Sequence, residues 1–392
     1  MDFEYIVIGG GAMGTATAYQ LARDGKSILL LEQFEIGHDR GSSHGESRII
    51  RLSYWNPVYV KLAVAAYKIW DEIEADSATQ LIWRTGGLDL ASPDAISFHN
   101  RVKSLQEEKV EHEVIDAHEI HSRYPQFHVT PDTLGLVQDD AGLVYADLAI
   151  QTMADMAKKH GATIVDNAPV KSISLKDDGA EINTEDNTYR CKKLVISAGG
   201  WIGPMVAKLG IELPLVVTHE QFAFFHASKP ELFEFGKFPV FIHLDTDPST
   251  NVSSRYGFPS FKQEGVKVAQ EHLPPVPTTA DTRSFEIDET RMKQLQDYVK
   301  TTLPDAFGEV LYAKTCLYTR TPDDHFIIDK LPGYPHVIVG SICSGHGFKF
   351  TSVMGRILAD LATAGETSYP IDLFSMRRFQ EKPSQPVRGK WS

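Results

Sequence analysis

The sequence predicts an α/β protein built from a Rossmann-like dinucleotide-binding domain and a second, mainly antiparallel β-sheet domain. Three observations predict it. A strand, a glycine turn, a helix and a second strand follow one another between Tyr5 and Glu32. Apolar strands followed by small-residue turns return at Leu194–Ile196 and at Val337–Gly340. Between them, two stretches change texture, with many prolines, aromatics and polar turns and with β-type alternation such as Gln221 to Phe225 and Phe238 to His243. At 392 residues the chain has room for two domains, or for one large body with an inserted lobe.

The N-terminal unit carries its own physical reason. Tyr5 to Ile8 is a short apolar run suited to a buried parallel strand. Gly9, Gly11 and Gly14 then form G-x-G-x-x-G and lead into a helix over Ala12 to Arg23. Gly9 permits the tight turn, Gly11 lets a pyrophosphate approach the backbone, and Gly14 lets the helix pack on the strand. Ser27 to Leu31 is the second strand, and Glu32 after it is placed to accept hydrogen bonds from ribose hydroxyls. FAD and NAD are not separated by this motif.

Next comes "GSSHGESRIIRLSYWNPVYV", residues 41–60. Asn56-Pro57 predicts a helix start, and Leu62, Ala66, Ile69 and Ile73 share one face after it. The loop before it holds His44, Arg48, Arg51 and Tyr54. An arginine fork matches a carboxylate, so the loop is a candidate anchor for an acidic substrate; arginines in ordinary surface ion pairs are the competing reading.

Ala146 to His160 has the spacing of an amphipathic helix, and short strands follow, with turns at Asp178-Gly179 and Asp186-Asn187. The expected division is discontinuous. Residues 1–80, 146–214 and 316–392 form the cofactor domain, and 81–145 with 215–315 form the substrate domain.

Three later segments hold candidate chemistry. In "YGFPSFKQEGVKVAQEH" (256–272), Lys267 alternates with valines and either points inward or is a solvated edge-strand lysine. In "KTCLYTRTPDDHFIID" (314–329), Cys316 is a buried core residue or else a nucleophile or attachment point. In "SICSGHGFKF" (341–350), the glycines allow a flat ring close to the main chain, and Lys349 can present a cation there. A plain glycine-rich turn is the alternative.

Bulk properties exclude some classes. A net charge of −13 argues against a nucleic-acid partner, which needs a basic footprint. Three scattered cysteines make neither a disulfide framework nor a metal-ligand spacing, so no metal is expected. No stretch has the length of a membrane span, the acidic start is unlike a secretory leader, and Gly389-Lys390-Trp391-Ser392 is not a Ser-Lys-Leu type address. A cytoplasmic protein without membrane or nucleic-acid partners is expected.

Taken together, G-G-G-A-M-G, S-H-G-E-S-R-I-I-R, Y-G-F-P, C-x-Y-T-x-T-P-D-x-H-F-I-I-D and S-G-H-G-F-K-F resemble the monomeric sarcosine oxidase and N-methyltryptophan oxidase family. These are flavin amine oxidases of the D-amino-acid-oxidase-like fold, and the resemblance runs almost end to end. It favours FAD over NAD and implies roles by position. Cys316 would carry FAD through an 8α-thioether. Arg51 and Lys349 would bind the substrate carboxylate, and Tyr256 and Tyr318 would line the pocket with His346 nearby. Lys267 would promote reaction of reduced flavin with oxygen, and Arg48 would lie close to the flavin ring. Gly9, Gly11, Gly14, Glu32, Val170, Gly345, Gly347 and Phe348 would complete the cofactor site.

The implied reaction is oxidation of a secondary, N-methylated amino acid such as sarcosine by O2 in a monomeric enzyme. It gives an imine, hydrolysed to aldehyde and amine, and H2O2. Cyclic imino acids or larger N-substituted amino acids are the alternative substrates. Two departures fall near the pocket: Leu-Ser-Tyr-Trp-Asn-Pro after Arg51, and one apparent extra residue between Lys267 and His272.

Overall fold

The computed structural model describes residues 2–379 apart from Thr246, Gln263 and Glu264; the C-terminal residues 389–392 considered above lie outside them. Phe3–Ile8 runs through the first sheet, which has eight strands. Ile28–Leu31 and the end of Thr188–Ile196 flank it in parallel. Thr163–Val165 and Tyr334–Ser341 extend the parallel set on either side. Ser172–Lys176, Gly179–Asn183 and Ile327–Leu331 complete the sheet as antiparallel additions. The registers Ile8↔Leu31, Ile8↔Ile196 and Ile196↔Val339 bring the parallel strands to one edge together. The turns after Ile8, Ile196 and Ser341 therefore converge, as ligand-binding turns do at the carboxyl edge of open α/β sheets.

Helix packing follows from small residues where backbones approach. Gly9 has φ +104°, and a Cβ on Gly14 would collide with the Gly9 carbonyl. Helix Ala12–Arg23 thus lies close on its strand, as the glycine spacing requires. Helix Pro57–Ser77 starts where Asn56 accepts a hydrogen bond from Val58 N at 2.9 Å, with Pro57 in its first turn. Its buried face includes Leu62, Ala66, Ile69 and Ile73. Burial of such side chains, each contributing about 1.5–3 kcal/mol, holds these helices to the sheet.

The second sheet has nine strands and is antiparallel except where Val240–Leu244 meets Gly87–Ala91. Val310–Arg320, which carries Cys316, pairs along its length with Val216–Phe225. The boundary expected at residue 316 therefore cuts through one continuous strand of this sheet. Its pairing partner comes from distant sequence, a long-range effect that local pattern does not carry.

A third, three-stranded sheet has no counterpart in the sequence reading. Ser47–Ile50 and Ile82–Arg84 both pair with Gly142–Tyr145. Arg48, expected in a loop, is thus held in a strand. Among the described residues no helix is long and apolar enough to cross a membrane.

Candidate active site

One cavity of about 490 Å³ runs from the convergent turns of the first sheet to one face of the second. Alternation along the strands selects that face. Lys267 and Glu271 on Val266–His272, Ser254, Tyr256 and Phe258 on Val252–Phe258, and Cys316 and Tyr318 on Val310–Arg320 all line it.

At the glycine end, Gly9 and Gly11 line the cavity, while Gly14 lies beneath the turn and does not. Glu32, buried, accepts hydrogen bonds from the main-chain N–H of Gly10 and of Phe34, the latter at 3.0 Å. It thereby locks the turn as well as facing the cavity. Val170 lines the same end. Ser42 Oγ and Thr319 Oγ1 are buried cavity-wall atoms with no hydrogen-bond partner among the described residues. Unsatisfied buried hydroxyls of this kind fit a long polar ligand rather than an apolar one.

Further along, Arg48 is fixed by carbonyls. It donates to Ser47 O at 2.9 Å, Ser42 O at 3.0 Å and His44 O, and its guanidinium lies 5.6 Å from the Phe348 ring centre. Burial, with Arg48 next, pushes the His44 imidazole down to about 3. Lys267 is 3% exposed, so the solvated edge-strand alternative does not describe it. Its ammonium donates to Ser47 O at 3.1 Å and lies 4.3 Å from the Phe222 ring centre and 5.0 Å from that of Phe258. Burial first, then the Arg48 charge, lowers its pKa to about 7.

Cys316 packs with Phe222, Phe224 and Ala269, against Tyr256 and Tyr318. Burial raises its thiol to about 11. The Tyr256 and Tyr318 hydroxyls are 3.0 Å apart, and burial raises both phenols. Glu220 sits opposite Cys316 in the sheet and is pushed up to about 7 by burial.

The cationic end is built by Arg51 and Lys349. Arg51 donates to Ser53 Oγ at 2.6 Å and lies 3.6 Å from Asp89. Its Nε has no hydrogen-bond partner among the described residues. Asp89 also pairs with the fully buried Arg101. Burial opposes ionisation of Asp89, but the charges of Arg101 and Arg51 lower its pKa overall. Two cations therefore share one carboxylate, which leaves positive charge for an anionic ligand.

Lys349 lies in a short 3-10 turn, Phe348–Phe350, that precedes helix Thr351–Thr363. The helix starts later than the sequence suggests. Lys349 Nζ donates to His346 O at 2.9 Å. His346 Nε2 meets the Asp324 carbonyl at 3.0 Å, so that nitrogen carries the proton, and Nδ1 accepts from Tyr54 OH at 3.3 Å. Gly345, His346, Gly347 and Phe348 line the cavity with Lys349.

Sequence reasoning did not find Ser53, Asp89, Arg101, Glu220, Glu271 or Arg320. Asp89 had a signal, a charge between two leucines in a strand pattern; Glu271 had the parity of Lys267. His272 lies on the opposite face, where it meets Gln270 Nε2 at 2.9 Å. It does not line the cavity. Burial lowers its pKa to about 4.

A profile of the family described as DAO, FAD dependent oxidoreductase, matches residues 4–361. The chain is 34% identical over 389 residues to monomeric sarcosine oxidase of Streptomyces avermitilis, covering 97% of this chain and 99% of that one. It is 32% identical over 383 residues to N-methyl-L-tryptophan oxidase of Escherichia coli O127:H6, covering 97% and 100%. Among solved structures, the open form of NikD, an unusual amino acid oxidase essential for nikkomycin biosynthesis, superposes with a TM-score of 0.85 at 24% identity, over 95% of this chain and 97% of that one. That likeness shows the fold.

Proposed function

The chain belongs to the FAD-dependent oxidoreductase family, and from that premise we propose that it is an oxidase of N-methyl amino acids. The observation that carries the reading is the single cavity joining a dinucleotide turn to a pair of buried cations, Arg51 and Lys349. FAD, when bound, would supply the two-electron acceptor. Gly9, Gly11, Glu32, Val170 and the Gly345–Phe348 turn would hold it, in keeping with the unsatisfied hydroxyls of Ser42 and Thr319. Gly14 supports the turn from below.

Arg51 and Lys349 would take the substrate carboxylate, and the paired Tyr256 and Tyr318 hydroxyls would bound the reacting carbon. Fixing the carboxylate converts encounter into an oriented complex, which is where most of the protein's contribution would lie. Lys267, with its pKa near 7, can hold or release a proton at Nζ under working conditions. It would favour negative charge arising when O2 is reduced to H2O2. Arg48 would steady the ring beside it. The substrate product would be an imine, hydrolysed in water to aldehyde and amine.

Covalent attachment through Cys316 is part of the proposal. Its support is position: Cys316 lines the cavity beside Tyr256 and Tyr318; burial raises its thiol to about 11, so attachment would require Sγ to lose its proton first. A monomer in the cytoplasm, with discontinuous cofactor and substrate domains, completes the reading. The test is a panel of N-methyl amino acids and cyclic imino acids supplied to purified holoenzyme, with peroxide and aldehyde measured together. Equimolar peroxide and aldehyde from an N-methyl substrate supports the reading. A flavin spectrum that no N-methyl amino acid bleaches under nitrogen overturns it.

A further inference from the structure

Away from the candidate active site, three aromatic rings surround an ammonium group that the proposed reaction does not use. Trp83 and Tyr145 share one face of the three-stranded sheet, because Trp83 pairs with Leu143, two residues before Tyr145 on its strand. Phe261 comes from the hairpin that joins Val252–Phe258 to Val266–His272. The Trp83 and Phe261 ring centres are 4.8 Å apart with planes at 60°. Those of Tyr145 and Phe261 are 6.1 Å apart at 80°, and those of Trp83 and Tyr145 6.2 Å apart at 74°. Rings so steeply inclined to one another form the walls of a cage rather than a stack. None of the three lines the active-site cavity.

Lys262 occupies the cage. Its Nζ lies 4.6 Å from the Tyr145 ring centre, 4.7 Å from that of Trp83 and 5.5 Å from that of Phe261. A cation drawn to several ring faces at such distances is how aromatic cages hold methylated ammonium ligands. The local field has the matching sign, since burial and then the charges of Glu46 and Asp147 raise the Tyr145 phenol. Two features make the present occupant replaceable. Lys262 is exposed, and its φ of +53° is a left-handed conformation that a lysine adopts at a cost. A lysine ammonium is also strongly hydrated, so it gives up more water to the rings than a methylated ammonium does.

We propose that Trp83, Tyr145 and Phe261 form a second ligand site, specific for a methylated ammonium group, and that Lys262 is its intramolecular occupant, displaced when the ligand binds. The ligand class is a small quaternary or N-methylated ammonium compound, and the cage asks for no carboxylate. The site adjoins the Lys267 end of the active site. Tyr145 is the register partner of Ser47, whose carbonyl accepts from Lys267 at 3.1 Å. Two lysines of one hairpin therefore dock on one sheet, and a ligand in the cage releases the outer one. The inference does not rest on the oxidase reading, because the cage is complete without cofactor or substrate.

The test titrates choline and its neutral isostere 3,3-dimethylbutan-1-ol into purified holoenzyme by isothermal calorimetry at matched ionic strength. Lys262→Gly vacates the cage at a φ that glycine adopts without strain. This variant should bind choline on the order of tenfold more tightly than the wild type does, and on the order of tenfold more tightly than it binds the isostere, the scale of a desolvated cation–π contact. Lys262→Arg keeps a cation in the cage and should bind choline no more tightly than the wild type. Trp83→Leu placed in the Lys262→Gly background should abolish the gain, and Phe261→Leu in that background decides if the tryptophan variant does not fold.

The flavin spectrum should stay unchanged as choline binds, since the cage lies outside the cavity. Choline carries no carboxylate for Arg51 and Lys349, and its binding is read as heat, so the result is the same whether or not any N-methyl amino acid is oxidised. Equal binding of choline and the isostere, a Lys262→Gly affinity no better than wild type, or a gain that survives loss of the ring overturns the proposal.

Discussion

The Ser53 hydroxyl lies between Arg51 and Asp89, accepting from the guanidinium at 2.6 Å and donating to the carboxylate at 2.7 Å. Arg51 is thereby aimed without being fully neutralised, since Asp89 also pairs with Arg101. Asp89→Asn takes this counter-charge away from two buried cations and should destabilise the fold by about 3–5 kcal/mol. Ser53→Ala removes one buried hydrogen-bonded hydroxyl and should cost about 1–3 kcal/mol, with KM for the amino acid rising more than kcat falls. Urea unfolding and steady-state kinetics on the same preparations check both.

Lys267 gives a pH signature of defined sign. Its pKa drops from the usual lysine value of 10.5 to about 7 in the fold. Between those values the unfolded chain binds a proton that the native protein lacks, so stability rises with pH across this window and levels off above 10.5. Lys267→Met should flatten that slope in denaturant titrations run from pH 7 upward. If the native slope is already flat, the buried amine is not titrating there.

The same lysine bears on oxygen. Lys267→Met should slow reoxidation of the reduced holoenzyme by O2 on the order of a hundredfold, the scale of losing one preorganised charge partner. In the wild type the rate should fall as pH rises through about 7 and the amine loses its proton. Stopped-flow mixing of anaerobically reduced protein with oxygenated buffer measures both.

Cys316→Ser tests the tether. Acid precipitation of wild-type protein should leave yellow colour in the pellet, whereas the serine variant should release it to the supernatant. Colour released by the wild type as well would remove the tether while leaving a flavoprotein.

Gly14→Ala should lower cofactor content sharply, because the added methyl collides with the Gly9 carbonyl and pushes the helix off the turn. The ratio of visible to ultraviolet absorbance of the purified variant reports this. Gly25→Ala is the control for glycine loss in the same unit, since nothing lies within 4 Å of its Cβ direction; its φ of +73° confines the effect to local strain.

Much of this protein was legible in its sequence because the relevant physics is local. The strand, turn and helix from Phe3 to Arg23 are specified by apolar burial and by glycines that only a tight turn and close packing require. Asn56-Pro57 starts its helix through a side-chain bond two residues long. Segments such as S-G-H-G-F-K-F were distinctive enough to point to a family without coordinates.

Tertiary structure decided what depends on pairing between distant segments. Arg48 is held in a strand because Ser47–Ile50 finds Gly142–Tyr145. Cys316 belongs to the second sheet because Val310–Arg320 finds Val216–Phe225. Strand parity, set by those registers, put Glu271 in the cavity and His272 behind it. Whether a charge is a solvated side chain or a buried site depends on what faces it, and for Asp89, Arg101 and Arg51 those partners come from three separate parts of the chain.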